Sequence, residues 1–230
     1  MKTIGLLGGM SWESTTDYYR LINETVKKEL GGLHSAKCIL YSVDFEEIEK
    51  YQFANQWDES ARVLSDACRS LERAGADYIV ICTNTMHKIV DQLQAQIKIP
   101  ILHIADVTAK ELNDHKIDRV GLLGTKFTME EDFYKNRLIE KGIDVMIPDH
   151  DECEKVSSII YDELCLGQIN EDSKQFYLKI VDELHQKGAQ GVILGCTEIG
   201  ELIQQKDTKV PLFDTTRIHA VKAAEMAISK

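Results

Sequence analysis

The sequence predicts an α/β protein made of two similar, doubly wound parallel-sheet domains related by internal duplication, with a ligand site in the cleft between them. Three observations predict it. Short apolar runs alternate with longer segments of helical period across all 230 residues, the pattern of parallel sheets covered by helices on both faces. The runs are continuously apolar, as in Tyr78-Ile79-Val80-Ile81 and Val192-Ile193-Leu194, which is how strands buried on both sides read. The chain also repeats itself in order. Ile4-Gly5-Leu6-Leu7-Gly8 returns as Val120-Gly121-Leu122-Leu123-Gly124, and Lys98-Ile99-Pro100 returns as Lys209-Val210-Pro211. Between these, the segment from Gly75 to Thr83 returns as Gly188 to Cys196, so Thr83 and Cys196 hold equivalent strand-end positions.

Taken in order, strands are expected at 2–7, 37–43, 77–82, 100–103, 118–123, 143–147, 190–195 and 210–213. Amphipathic helices are expected near 12–29, 56–74, 84–96, 104–115, 127–141, 152–165, 171–187, 197–205 and 215–228. Pro100 and Pro211 each open one of a pair of equivalent strands. The first domain is expected to cover 1–101 plus the returning tail 209–230, and the second to cover 102–208. No low-complexity segment or flexible linker interrupts this order.

Composition narrows the class of function. A formal charge of −11 argues against a nucleic-acid surface, which needs clustered Lys and Arg. The opening Met1-Lys2-Thr3-Ile4-Gly5 runs straight into a turn motif, so no export signal is expected, and no apolar run reaches membrane-spanning length. The six cysteines, at 38, 68, 82, 153, 165 and 196, lack CxxC or zinc-finger spacing. They read as free thiols of a reducing, cytoplasmic compartment. No metal site and no cofactor is expected: Gly-x-x-Gly-Gly after the first strand is not the dinucleotide spacing, and no P-loop lysine motif is present.

In open α/β sheets ligands bind beyond the carboxyl ends of the strands. Four segments reach that edge: Gly8-Gly9-Met10-Ser11, Thr83-Asn84-Thr85, Gly124-Thr125 and Cys196-Thr197-Glu198. Each alone reads as turn and cap residues; four placed by internal symmetry point to an anion site, with backbone N–H groups offered to a carboxylate. Cys196 is the candidate nucleophile or base, since a thiol opening a helix is expected to ionise more readily. Thr83 gains interest from its symmetry with Cys196, with Asn84 and Thr85 beside it. Cys82 reads as an inert core thiol pointing away from Thr83, and His87, one helical turn on, as structural.

These residues together resemble the aspartate/glutamate racemase family. The resemblance covers essentially the whole chain and rests on Gly8-Gly9-Met10-Ser11-Trp12-Glu13-Ser14-Thr15, Cys82-Thr83-Asn84-Thr85-Met86-His87, Leu122-Leu123-Gly124-Thr125 and Gly195-Cys196-Thr197-Glu198. Within the family the chain looks like the bacterial L-aspartate/glutamate-specific or broad-specificity amino-acid racemases. The resemblance implies two α/β domains, a homodimer, no cofactor, and proton removal and return at Cα of a small-molecule amino-acid substrate. It implies Cys196 as thiolate base and Thr83 on the opposite face, where most members carry a second Cys. Met10, Ser11, Gln52, Asn84, Thr85, Thr125 and Thr197 are implied as substrate-binding positions. The loop carrying the family's side-chain Arg reads Phe45-Glu46-Glu47-Ile48 here, and the position of its Lys falls near Cys165. The competing readings are a related Cys-dependent enzyme such as a hydantoin racemase, maleate isomerase or decarboxylase, an impaired amino-acid-binding homologue, and a nicotinamide-dependent oxidoreductase.

Overall fold

A computed structural model describes residues 1–229. The chain forms two compact units: Met1–Ile104 together with the chain from His219 onward, and Ala105–Ile218.

The first unit contains β1 (Thr3–Gly8), α1 (Trp12–Leu30), β2 (Lys37–Ser42), α2 (Phe45–Phe53), α3 (Trp57–Arg73), β3 (Tyr78–Ile81), a 3-10 turn at Thr85–Ile89, α4 (Val90–Gln94) and β4 (Ile101–Leu102). Its sheet is parallel throughout, in the order β2-β1-β3-β4. Side chains alternate across the sheet with the period of two that strands impose. Leu7, Ile79 and Ile81 pack on one face, with Ile48 of α2 and Leu64, Cys68 and Leu71 of α3. Ile4, Leu6, Tyr78, Val80 and Cys82 pack on the other, with Tyr18, Ile22 and Val26 of α1. Each fully buried aliphatic side chain contributes about 1.5–3 kcal/mol, so the apolar central strands and the helix faces packed on them share the stabilisation of the unit.

The second unit contains α5 (Ile104–Asp114), β5 (Arg119–Gly124), α6 (Lys126–Glu130), α7 (Asp132–Ile139), β6 (Asp144–Met146), α8 (His150–Asp162), a 3-10 turn at Leu164–Leu166, α9 (Glu171–Gln186), β7 (Val192–Gly195), α10 (Ile199–Leu202), a 3-10 turn at Gln205–Asp207 and β8 (Leu212–Asp214). Helix α11 (Thr215–Ile228) closes the chain. The second sheet is again parallel, in the order β6-β5-β7-β8. The internal repeat holds in detail. Gly5 faces Ile79 as Gly121 faces Val192. Asp77 accepts from the Thr3 N–H at 2.6 Å, and its counterpart Gln190 accepts from the N–H of Arg119, the counterpart of Thr3, at 3.1 Å.

The expected return of the tail at residue 209 differs from the observed one. Strand β8 stays in the second sheet, with Leu212 and Phe213 in register with Val192 and Ile193 of β7. The chain rejoins the first unit only from His219. The reason lies in α11, whose Ala220, Ala223, Ala224 and Ala227 form a small-residue stripe against Tyr18, Tyr78 and Ile4. That stripe brings the helix backbone close enough for Tyr78 to donate to the Ala223 carbonyl at 2.5 Å and Lys2 N–H to the Ala227 carbonyl at 2.8 Å.

Three helical expectations also change. Residues 45–53, read as a loop, form α2, capped by Asp44, whose side chain accepts from the Glu46 N–H. Only Ile48 and Gln52 of α2 are buried, too few apolar positions for a periodic signal. The helix expected at 127–141 divides at Glu131, which is extended at φ −82°, ψ 157°. The helix expected at 197–205 is a single turn of four residues. Among the described residues no helix is long and apolar enough to cross a membrane.

Candidate active site

In the first unit the residues singled out by the sequence meet at the carboxyl edge of β1 and β3. Gly9 must be glycine: its φ is +90°, and a Cβ there would lie 2.3 Å from the Val43 carbonyl oxygen. The turn this permits is held by Thr15, whose Oγ1 accepts from the Gly9 N–H at 2.8 Å and donates to the Ser11 carbonyl at 2.8 Å. Ser11 caps α1 by accepting from the Ser14 N–H at 3.2 Å. Met10 is only 3% exposed and packs in the core beside Met86, so its side chain serves packing. Gln52, also 3% exposed, donates through Nε2 to the Met86 sulfur at 2.9 Å. That contact ties α2 to the 3-10 turn that follows Thr83.

Strand β3 delivers Thr83 to this edge. The Cys82 N–H donates to the Leu7 carbonyl at 2.9 Å, anchoring the strand end. The Cys82 thiol is buried among Tyr18 and Tyr78, and burial drives its pKa far above the ordinary thiol range, so it is inert. Thr83 itself is partly exposed, whereas Asn84 and Thr85 are buried. The Thr83 carbonyl accepts a hydrogen bond from Nδ1 of His87 at 2.9 Å.

In the second unit β5 and β7 end side by side, with Gly124 in register with Gly195. The strands approach so closely that a Cβ on Gly195 would stand 2.8 Å from the Leu123 carbonyl oxygen. This brings the residues that follow, Thr125 and Cys196, to one edge. Thr125 caps α6, with its Oγ1 accepting from the Thr128 N–H at 3.3 Å. Cys196 is partly exposed, and its thiol donates to Oε2 of Glu198 at 2.9 Å. Thr197 donates to the same oxygen at 2.6 Å. Glu198 is 5% exposed, a buried carboxylate that accepts from two neighbours.

The expectation of an easily ionised Cys196 is therefore corrected. Burial pushes the thiol well above its ordinary pKa, and the Glu198 carboxylate and the nearby Cys165 push it the same way. The single turn of α10 supplies too little helix to oppose these effects. At rest Cys196 is a protonated thiol hydrogen-bonded to a carboxylate. Glu198 is the residue the sequence reading passed over. It stood in the quoted motif, but its role comes from a chain turn that folds position 198 back onto position 196. Cys165 sits in a short 3-10 turn after α8, near enough for the two thiols to disfavour each other's ionisation.

Similarity to known proteins agrees with this architecture. Residues 7–223 match the Asp/Glu/hydantoin racemase family. A crystal structure described as an Asp/Glu racemase from Yersinia pestis is 55% identical, covers 100% of both chains and superposes with a TM-score of 0.93. An aspartate racemase homologue from Pyrococcus horikoshii OT3 is 36% identical over 100% of both chains, with a TM-score of 0.86. The broad specificity amino-acid racemase RacX of Bacillus subtilis is 24% identical over 223 residues, covering 93% of this chain and 92% of that protein. On its sequence and its fold, the chain belongs to the Asp/Glu/hydantoin racemase family.

Proposed function

We propose that this protein is an amino-acid racemase that works without pyridoxal phosphate, on aspartate, glutamate or a broader set of amino acids. Cys196 and Thr83 serve opposite faces of Cα. The observation that carries the reading is the 2.9 Å hydrogen bond from the Cys196 thiol to the Glu198 carboxylate. A partly exposed thiol paired with a buried carboxylate is the arrangement of a nucleophile or base with its own proton acceptor.

The proposed steps conserve protons. Glu198 takes the thiol proton, and the resulting thiolate takes the proton from Cα. The thiolate is costly in this buried, acidic setting, and the cationic α-ammonium of an arriving substrate offsets that cost. The carbanion is held by hydrogen bonds to the substrate carboxylate, for which Ser11, Asn84, Thr85, Thr125 and Thr197 are the proposed partners. Met10 and Gln52 shape the floor of the site through Met86. Thr83 then donates its hydroxyl proton to the other face of Cα and recovers one from water, while Glu198 gives its proton back to solvent, so the enzyme returns to its starting protonation. The homodimer and the cytoplasmic location belong to the same reading.

The test is chiral chromatography of a panel of L- and D-amino acids after incubation with dialysed enzyme. Interconversion of at least one pair without added pyridoxal phosphate, nicotinamide or metal is expected. Activity that appears only on adding one of these would contradict the proposal.

A further inference from the structure

The first unit buries three imidazoles together. His87 is 1% exposed, His103 7% and His219 0%. The ring of His87 lies 4.6 Å from that of His103 and 5.8 Å from that of His219, both edge-on. The hydrogen bonds fix which nitrogen of each outer ring carries the hydrogen. Nδ1 of His87 is 2.9 Å from the Thr83 carbonyl oxygen, and a carbonyl only accepts, so Nδ1 is the donor. Nε2 of His87 is 3.2 Å from the Ile104 amide, which only donates, so Nε2 is the acceptor. His219 has the opposite tautomer. Its Nε2 donates to the Leu102 carbonyl at 2.9 Å, and its Nδ1 accepts from the Tyr18 hydroxyl at 2.8 Å. Burial holds both rings uncharged, with neighbouring imidazoles adding to the effect at His87.

The two rings thus grip the junction of β4 and α5 on either side of His103. His87 carries that grip to the peptide of Thr83. Both its nitrogens are committed to the backbone, so it is not the base for the Thr83 hydroxyl. We infer that His87 is a positioning residue: through the Thr83 carbonyl it sets the direction of the Thr83 side chain, and so the step that returns a proton to the second face of Cα. The inference rests on the proposed roles of Cys196 and Thr83.

The two proposed half-reactions can be separated in D2O. Starting from the enantiomer whose Cα–H faces Cys196, deuterium uptake with retention needs only Cys196, whereas inversion also needs Thr83. His87→Asn places an amide N–H near the site of Nδ1 and keeps the donor to Thr83. His87→Gln reaches the site of Nε2 and loses that donor. The expected result is a fall of about tenfold in the ratio of inversion to exchange for His87→Gln, the effect of one lost hydrogen bond. For His87→Asn the ratio should stay close to that of wild type. Equal loss of exchange and inversion in both variants, or an unmoved ratio in His87→Gln, would overturn the inference. Because either variant could lose its fold, nitrogen-15 NMR of the wild-type imidazoles gives a second measurement. Neutral Nδ1–H at His87 and neutral Nε2–H at His219 are expected at pH 7, and Nε2–H or a charged ring at His87 would overturn it. Absence of Cα exchange in the wild type would instead overturn the racemase reading, a failure distinct from an unmoved ratio.

Discussion

Glu198→Gln separates two effects that a single carboxylate exerts on Cys196. The carboxylate opposes the thiolate by its charge, yet it is also the group placed to take the thiol proton, at 2.9 Å. Glutamine removes the charge and keeps the size, and its amide can still bond to Thr197. Removing the negative charge relieves part of what holds the thiol pKa up, so alkylation of Cys196 by iodoacetamide should set in at lower pH than in wild type. Proton transfer should move the other way. A positioned general base contributes on the order of 10²–10⁴ in rate, and losing a hydrogen bond to a charged group alone costs about 1.5–3 kcal/mol. That energy is roughly a 10–150-fold loss at 1.36 kcal/mol per decade, so the expected fall in kcat is about 10²-fold or more. The assays are a pH series of alkylation followed by mass spectrometry, and initial-rate deuterium uptake at Cα. Two results would refute the reasoning: exchange within about threefold of wild type, or an alkylation profile moved to higher pH.

Other consequences follow from the same geometry. Thr83→Cys should speed the slower of the two enantiomers, because a thiol can be deprotonated at neutral pH far more readily than a hydroxyl; equal initial rates for both enantiomers in wild type would contradict this. Gly9→Ala should destabilise the first unit by about 3 kcal/mol or more, through a Cβ 2.3 Å from the Val43 carbonyl at φ +90°, read as a lowered urea midpoint. His219, with its pKa pushed down to about 4 from 6.5 by burial, is neutral when folded and takes up a proton when unfolded below pH 6.5. Its contribution is therefore present above pH 6.5 and lost progressively as pH falls towards 4, a loss of about 3 kcal/mol. His219→Gln should flatten that part of the stability profile, measured by urea unfolding at successive pH values.

The fold was legible because its strongest signals are local. Tyr78–Ile81 and Val192–Gly195 are fully buried strands, and their apolar runs cannot be read otherwise once helical segments flank them. The repeat carried the equivalence of Thr83 and Cys196 directly. What the sequence hid depends on partners distant along the chain. The alanine stripe of α11 is unremarkable until Tyr18 and Tyr78 lie against it, so the repeat alone points to a return at 209, whereas the chain rejoins the first unit at 219. Helix α2 buries only two side chains and leaves no periodic trace. At the site, strand-end spacing located Cys196 but not its protonation. That is set by burial and by a carboxylate folded back from position 198, and a one-turn helix does not reverse it. His87 read as structural, and both its bonds are indeed to backbone; the consequence for Thr83 needed the tautomer.

The central claim is that the Cys196 thiol moves the proton at Cα. It is tested most directly by incubating wild type and Cys196→Ser with a panel of amino acids in D2O and following mass gain at Cα together with chirality. The account predicts deuterium uptake with inversion in the wild type. It predicts loss of uptake in a folded Cys196→Ser variant, whose hydroxyl is far less acidic than a thiol. Uptake in the variant at more than a small fraction of the wild-type rate would contradict it.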